Sequence, residues 1–208
     1  MSRARNPFAD GPLPANALRD RDIAFFREGG ASVFALAGYC ADPHEIQRPF
    51  STPMQLGFRV RRERVCFSRR GRFSFEADLR GEPDDAVPAY VLPAIEAGAI
   101  IDEVAWHPRS GRIATRDGRA GLLGADLIES SAKDEPVRLL SDPRAWLAAW
   151  RQGVVVVDEA LARPVLREAH CPLQVDSVAQ GEALEAMLSK VRMPRIVVPA
   201  VSVTRAAA

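Results

Sequence analysis

Apolar and polar positions alternate along this chain in three different ways, and each predicts a different kind of element. Asp20–Glu28 reads as a short helix that Gly29 and Gly30 end. Residues 31–40 form a continuous apolar run of strand length, expected as a strand buried on both faces. From Phe58 onward the alternation loosens. Val65/Phe67 and Phe73/Phe75 flank Arg69-Arg70-Gly71, which predicts a β-hairpin with a glycine-assisted turn. Residues 83–98 read as a connector followed by a helix, an awkward one because of Pro88 and Pro93. Residues 99–106 and 112–115 predict a second strand pair, with its turn at 108–111, and a short helix is expected after Gly121.

The last third has a more regular rhythm. Residues 137–140, 154–157, 173–175 and 196–198 are short apolar runs suited to buried strands. Between them lie three helix-length segments. Ser141-Asp142-Pro143 opens the first, with a capping side chain and then proline at the first helical position, and Gly153 closes it. Asp158 can cap the second, which Pro164 must kink or shorten. Ser177 and Gln180 have capping-box spacing at the start of the third. The order β-α-β-α-β-α-β, with right-handed crossovers, predicts a small four-strand parallel unit from about residue 136. The expected fold class is therefore α/β, α+β overall: an N-terminal antiparallel portion (17–135) carrying a basic hairpin, then the parallel unit (136–200), within one globular domain. Residues 1–16, with Pro7, Pro12 and Pro14, read as a flexible tail, and 201–208 as another.

Composition narrows the function classes only a little. Of the 208 residues, 47% are apolar and 26% charged, ordinary for a globular chain. No repeat period or membrane-length apolar run appears, so neither a solenoid nor a membrane partner is expected. Cys40, Cys66 and Cys171 make an odd count with no CxxC pair, against a disulfide framework, and a reducing cytoplasm is the expected location. The net charge is +1, but only Lys133 and Lys190 are lysines; the other 26 basic residues are arginines. That excludes a Walker A loop, which needs its lysine.

The charge is unevenly placed. Residues 1–80 carry net +5 and residues 81–208 net −4. Within 59–72, the seven arginines Arg59, Arg61, Arg62, Arg64, Arg69, Arg70 and Arg72 face one acid, Glu63. Guanidinium forks suit phosphate, and Phe58, Phe67, Phe73 and Phe75 offer stacking surface. Alternation, however, sends the phenylalanines inward and leaves the arginines solvated or acid-paired.

Other constellations compete with this one. Asp142, Asp158 with Glu159, and Asp176 follow predicted strand ends, where converging carboxylates would hold Mg²⁺; the same positions are helix N-caps, where aspartate serves backbone amides. Glu103 and His107 share a strand face, the layout for a carboxylate orienting a general base, although His107 also simply precedes the Pro108 turn. Cys40, His44, His170 and Cys171 are potential zinc or Cys–His nucleophile residues, without clustered spacing. Gly118, Gly121 and Gly124 resemble a glycine-rich anion loop that matches no dinucleotide fingerprint. Trp146, Leu147 and Trp150 share a helix stripe, which suits sheet packing or a partner groove.

Together these readings favour a non-enzymatic accessory protein without a cofactor, contacting nucleic acid or an acidic protein surface through its arginine hairpin. The alternatives are a Mg²⁺-dependent phosphoryl-transfer enzyme or nuclease built on Asp142, Asp158 and Asp176, and a protein–protein module using the tryptophan helix.

Overall fold

A computed structural model describes residues 17–40, 59–80 and 85–190 of the chain. Helix α1 is Asp20–Glu28, as the pattern predicts. The Asp22 carboxylate accepts the Arg19 backbone N–H at 3.0 Å, holding the first turn, and Gly29 closes the last. Residues 31–40 depart from expectation: they contain helix α2, Val33–Ala37. Short apolar runs do not distinguish strand from helix, and here the flanks decide. The Ser32 hydroxyl accepts the Phe34 N–H at 3.2 Å, while Gly38, at φ 111°, supplies the left-handed stop that a side chain would resist.

Five antiparallel strands follow: β1 (Arg61–Phe67), β2 (Phe73–Phe75), β3 (Val87–Glu96), β4 (Ala99–His107) and β5 (Arg112–Thr115), in spatial order β2-β1-β3-β4-β5. Both expected hairpins form, β1–β2 around Arg69-Arg70-Gly71 and β4–β5 around 108–111. The sheet curls until its two edges meet: the Thr115 N–H donates to Gly71 O at 3.1 Å and Arg72 Nη1 to Thr115 Oγ1 at 2.8 Å. The result is an antiparallel half-barrel. Its inner face combines Val65, Phe67, Phe73 and Val91 with the small residues Ala89, Ala105 and Ala114, which leave room for the curl. Its outer face, with Tyr90, Leu92, Val104 and Trp106, packs on Phe26 and Leu36 from the helices and on Leu123, Trp146 and Leu147 from the later chain.

Strand β3 replaces the helix expected within 83–98. Proline is rare in central strands because it cannot donate to the ladder. Here the flanks of β3 are staggered: β1 pairs with Val87 to Val91, and β4 with Tyr90 to Glu96. Pro88 and Pro93 therefore each sit where only one flank is paired, and the missing N–H can face the open side. A bulge between Ala94 and Ile95 then leads into the Ala97-Gly98 turn, whose N–H at Ala97 is held by Asp126 Oδ1 at 2.8 Å.

Beyond the half-barrel, Gly121 is followed by a two-residue strand, β6 (Leu122–Leu123), before the expected helix appears as α3 (Asp126–Ser130). Then come β7 (Val137–Leu139), α4 (Pro143–Ala148), β8 (Val155–Val156), α5 (Glu159–Arg167), β9 (Leu173–Val175) and α6 (Val178–Ser189). The four-strand parallel unit is realised only in part. β7 pairs in parallel with β9, and Leu139 makes one parallel bridge to Val154. Directly afterwards β8 turns into antiparallel pairing with β6. The fourth run, 196–198, lies outside the described residues, as do both tails. Among the described residues no helix is long and apolar enough to cross a membrane.

One carboxylate joins these halves. Asp102 on β4 is 3% exposed and accepts backbone N–H groups from Arg119 (2.7 Å), Glu103 (2.8 Å), Asp117 (2.9 Å) and Ala120 (3.3 Å). Burial alone would push its carboxyl up; the amides of Asp117, Arg119, Glu103 and Ala120 outweigh that and hold it below the usual range. Asp102→Asn keeps the shape and loses the charge, and is expected to cost about 1.5–3 kcal/mol in urea unfolding at neutral pH. Because the folded value lies below the unfolded one, this stability is complete above the ordinary carboxylate range and is lost as pH falls through the folded value. Wild type and variant should thus converge in acid; a constant gap at every pH would refute the assignment.

Candidate functional site

The arginine window splits into two groups once the chain is folded. Arg61 ion-pairs with Glu103, which also receives Arg116 at 2.8 Å. Arg62 faces Asp22 at 3.4 Å, and Arg64 meets Glu76 at 2.7 Å and the Ala86 carbonyl at 3.0 Å. Arg72 bonds Thr115 and lies 3.8 Å from Asp158, its guanidinium occupying the space that a side chain at Gly118 would need. These four arginines are internal partners of the chain's own acids. Arg69 and Arg70 stand exposed in the hairpin turn and make no ion pair among the described residues, nor does Arg59. The phenylalanines stack on the chain's own arginines: Arg112 covers Phe67 at 4.8 Å, and Arg116 covers Phe75 at 4.6 Å.

A second basic turn joins the first. Strand order places the end of β1, the start of β3, the end of β4 and the start of β5 at one end of the half-barrel. Arg112 Nη2 donates to the Phe67 carbonyl at 3.2 Å, tying the β4–β5 turn to the arginine hairpin. Arg109 projects from that turn beside a cleft of about 410 Å³ lined by Arg62, Pro88, Tyr90, His107 and Arg109. Tyr90 donates its hydroxyl to Asp22 Oδ1 at 3.0 Å; burial, then Asp22, pushes its pKa up to about 12, so it stays a neutral donor. His107 does not meet Glu103, which the arginines occupy; its Nδ1 lies 2.7 Å from Ser110 Oγ. The candidate Glu103–His107 pair is thus not formed; His107 follows its turn reading and lines one cleft with Arg62. Arg109 and Arg112 were overlooked in the sequence, although His107-Pro-Arg-Ser-Gly-Arg112 shows the same turn chemistry as the first hairpin.

The strand-end aspartates have separate structural duties. Asp142 caps α4 through Ala145 N at 2.9 Å, and Asp158 caps α5 through Ala160 N at 2.9 Å and Leu161 N at 3.3 Å. Asp176 is not the cap of α6, a place Ser177 takes; it pairs with Arg138 at 3.1 Å. Among the described residues no group of three or more His, Cys, Asp or Glu is placed to hold a metal ion. Cys40 is exposed, Cys171 is buried near the Ile128 carbonyl at 3.9 Å, and His170 Nε2 lies 2.8 Å from Ser131 O; His44 is outside the described residues. The glycine loop does bind an anion, but the anion is internal: the amides of Asp117, Arg119 and Ala120 are spent on Asp102.

Helix α4 generates a feature no sequence pattern announced. It ends at Ala148 rather than Gly153, because Trp150 (φ 55°) and Arg151 (φ 64°) adopt consecutive left-handed conformations. For non-glycine residues this costs about 1–2 kcal/mol each, and such strain gathers where a side chain must be aimed. Arg151 is aimed inward, 4% exposed, with Nε and Nη2 donating to Ala35 O at 3.2 and 3.0 Å and its guanidinium 5.2 Å from the Trp146 ring. It borders a cavity of about 230 Å³. Trp146 is buried and held by Gly153 O at 2.9 Å, so the tryptophan stripe serves packing.

Compared with known proteins, the chain matches no family model, no curated protein and no solved structure.

Aspartate and asparagine cap helices about equally well. Asp158→Asn should therefore leave the melting temperature nearly unchanged, whereas Asp158→Ala should cost about 1 kcal/mol. Equal losses would mean that the 3.8 Å contact with Arg72, not the cap, is what Asp158 supplies.

Proposed function

We propose that this protein is a non-enzymatic binding protein whose basic half-barrel end contacts a phosphate backbone. The observation that carries this reading is the sorting of the arginines. Arg61, Arg62, Arg64 and Arg72 are matched by acids of the same chain, while Arg69, Arg70 and Arg109, on two turns at one end, make no ion pair among the described residues. Guanidinium groups on turns present planar forks to phosphate oxygens, and contacts of that kind position a partner without reading its sequence. Phe67 and Phe75 are covered by Arg112 and Arg116, so base stacking is not part of the proposal. An acidic protein surface is the rival partner for the same cations.

Fluorescence anisotropy with labelled single-stranded and duplex oligonucleotides tests this directly. Affinity should fall with salt at a log–log slope of about −0.9 per neutralised phosphate on duplex and about −0.7 on single strands. The triple substitution Arg69→Gln, Arg70→Gln, Arg109→Gln should flatten that slope and weaken all sequences alike. Its melting temperature should hold, since exposed arginines contribute little stability. Absence of DNA and RNA binding at low salt would end the proposal. Binding of polyglutamate alone would transfer the site to an acidic protein partner.

A further inference from the structure

The cations at this end of the half-barrel differ in depth, and depth sorts phosphates. Arg69 and Arg70 stand exposed on their turn, whereas Arg62 is half-buried in the cleft that crosses β3. Arg62 of β1 lies on one side of that cleft, His107 and Arg109 on the other, and Pro88 to Tyr90 between them. Phe25 of α1 stacks on Tyr90 at 5.8 Å, and both Arg62 and Tyr90 reach Asp22 of the same helix, so α1 walls one side. The volume of about 410 Å³ falls in the range of small-ligand sites. A recess walled in this way takes the end of a strand; a backbone continuing past Arg62 would run into the helix.

Three donor side chains line the recess. Arg62 turns Nε toward Asp22 at 3.4 Å, and its terminal nitrogens make no hydrogen bond among the described residues. Asp22 is shared with the Arg19 N–H and the Tyr90 hydroxyl, so it offsets Arg62 only in part. Arg109 is exposed and makes no ion pair among the described residues. His107 supplies the third donor. Ser110 Oγ accepts the Arg112 N–H at 3.4 Å and directs its own hydrogen to Nδ1 of the imidazole, 2.7 Å away, which assigns the ring N–H to Nε2. A backbone diester carries a single charge, whereas a phosphomonoester carries about −1.5 to −2 at neutral pH and has a further terminal oxygen. The donor set therefore suits the monoester better. We infer, and this rests on the phosphate-backbone reading, that the cleft binds a phosphomonoester, the terminal phosphate of a nucleic-acid strand whose internal phosphates lie on Arg69 and Arg70.

Anisotropy of the full chain with single strands of one sequence, phosphorylated at one end, at the other or at neither, tests this. One phosphorylated strand should bind at least about tenfold more tightly than the hydroxyl-ended strand. Arg62→Gln and His107→Phe should each remove most of that ratio and leave the hydroxyl-ended strand nearly unaffected. The double substitution Arg69→Gln, Arg70→Gln should do the reverse, weakening every strand and keeping the ratio. Should Arg62→Gln fail to fold for want of the Asp22 contact, as circular dichroism would show, His107→Phe decides. Methyl phosphate at roughly 10 mM, where even a weak site fills, should shift the His107 ring resonances, and dimethyl phosphate should not. Equal affinity of all the strands would overturn the inference and leave the proposed function standing. No strand binding, with methyl phosphate still moving His107, would overturn the proposed function and the strand-end assignment together and leave a site for a free phosphomonoester. No response to strands or to methyl phosphate would end both.

Discussion

The Asp102 carboxylate is the constraint on which the remaining structure depends. It is buried on the outer face of β4, where an ionised group is costly unless its lone pairs are satisfied. The chain satisfies them by folding the 117–120 loop around it, so four amides converge on two oxygens. That loop carries Gly118, over which Arg72 lies, and leads directly to β6, whose pairing with β8 starts the second half of the fold. Without the carboxylate the loop amides would be left without their acceptor, and the junction between half-barrel and helices would lose its register.

The near-exclusive use of arginine follows a similar logic. Guanidinium groups here do three things an ammonium does poorly: they bridge two acids, as Arg116 does with Glu103 and Asp78; they cover aromatic rings, as on Phe25, Phe67 and Phe75; and they reach distant carbonyls, as Arg144 does to Phe25 O at 2.6 Å. A net charge of +1 therefore conceals an internal network. Within the 59–72 window, what that network leaves over includes Arg69 and Arg70 in the hairpin turn.

Much of the fold was legible because local chemistry decided it. Both hairpins, α1, and the caps at Asp142, Asp158 and Ser177 depend on neighbours within a few residues. The failures share a cause too. Strand β3 was hidden by Pro88 and Pro93, which are tolerated only because two neighbours end at different places along it, a fact of tertiary register. Residues 31–40 were apolar throughout, so only their flanking Ser32 and Gly38 carried the helix signal. The seven-arginine window was visible, but its acid partners Asp22, Glu76, Glu103 and Asp158 come from four distant segments. Arg151 gave no signal, since nothing local marks Trp150 and Arg151 as left-handed.

The same stagger that admits the prolines also makes room for the cleft and for the cavity beside Arg151. Where β4 has turned away, the open flank of β3 at Pro88 borders the cationic cleft; where β1 has not begun, the open flank at Pro93 borders the Arg151 cavity. The two openings lie on the order of 17 Å apart along one strand, at a rise of about 3.4 Å per residue. A fully paired central strand would have sealed both with neighbouring backbone. A proline at each opening has a second effect: it removes the N–H that an exposed edge would offer to another chain's strand. Each gap is thereby left to side chains, Arg62, His107 and Arg109 at one and Arg151 and Gln152 at the other, and closed to β-sheet extension.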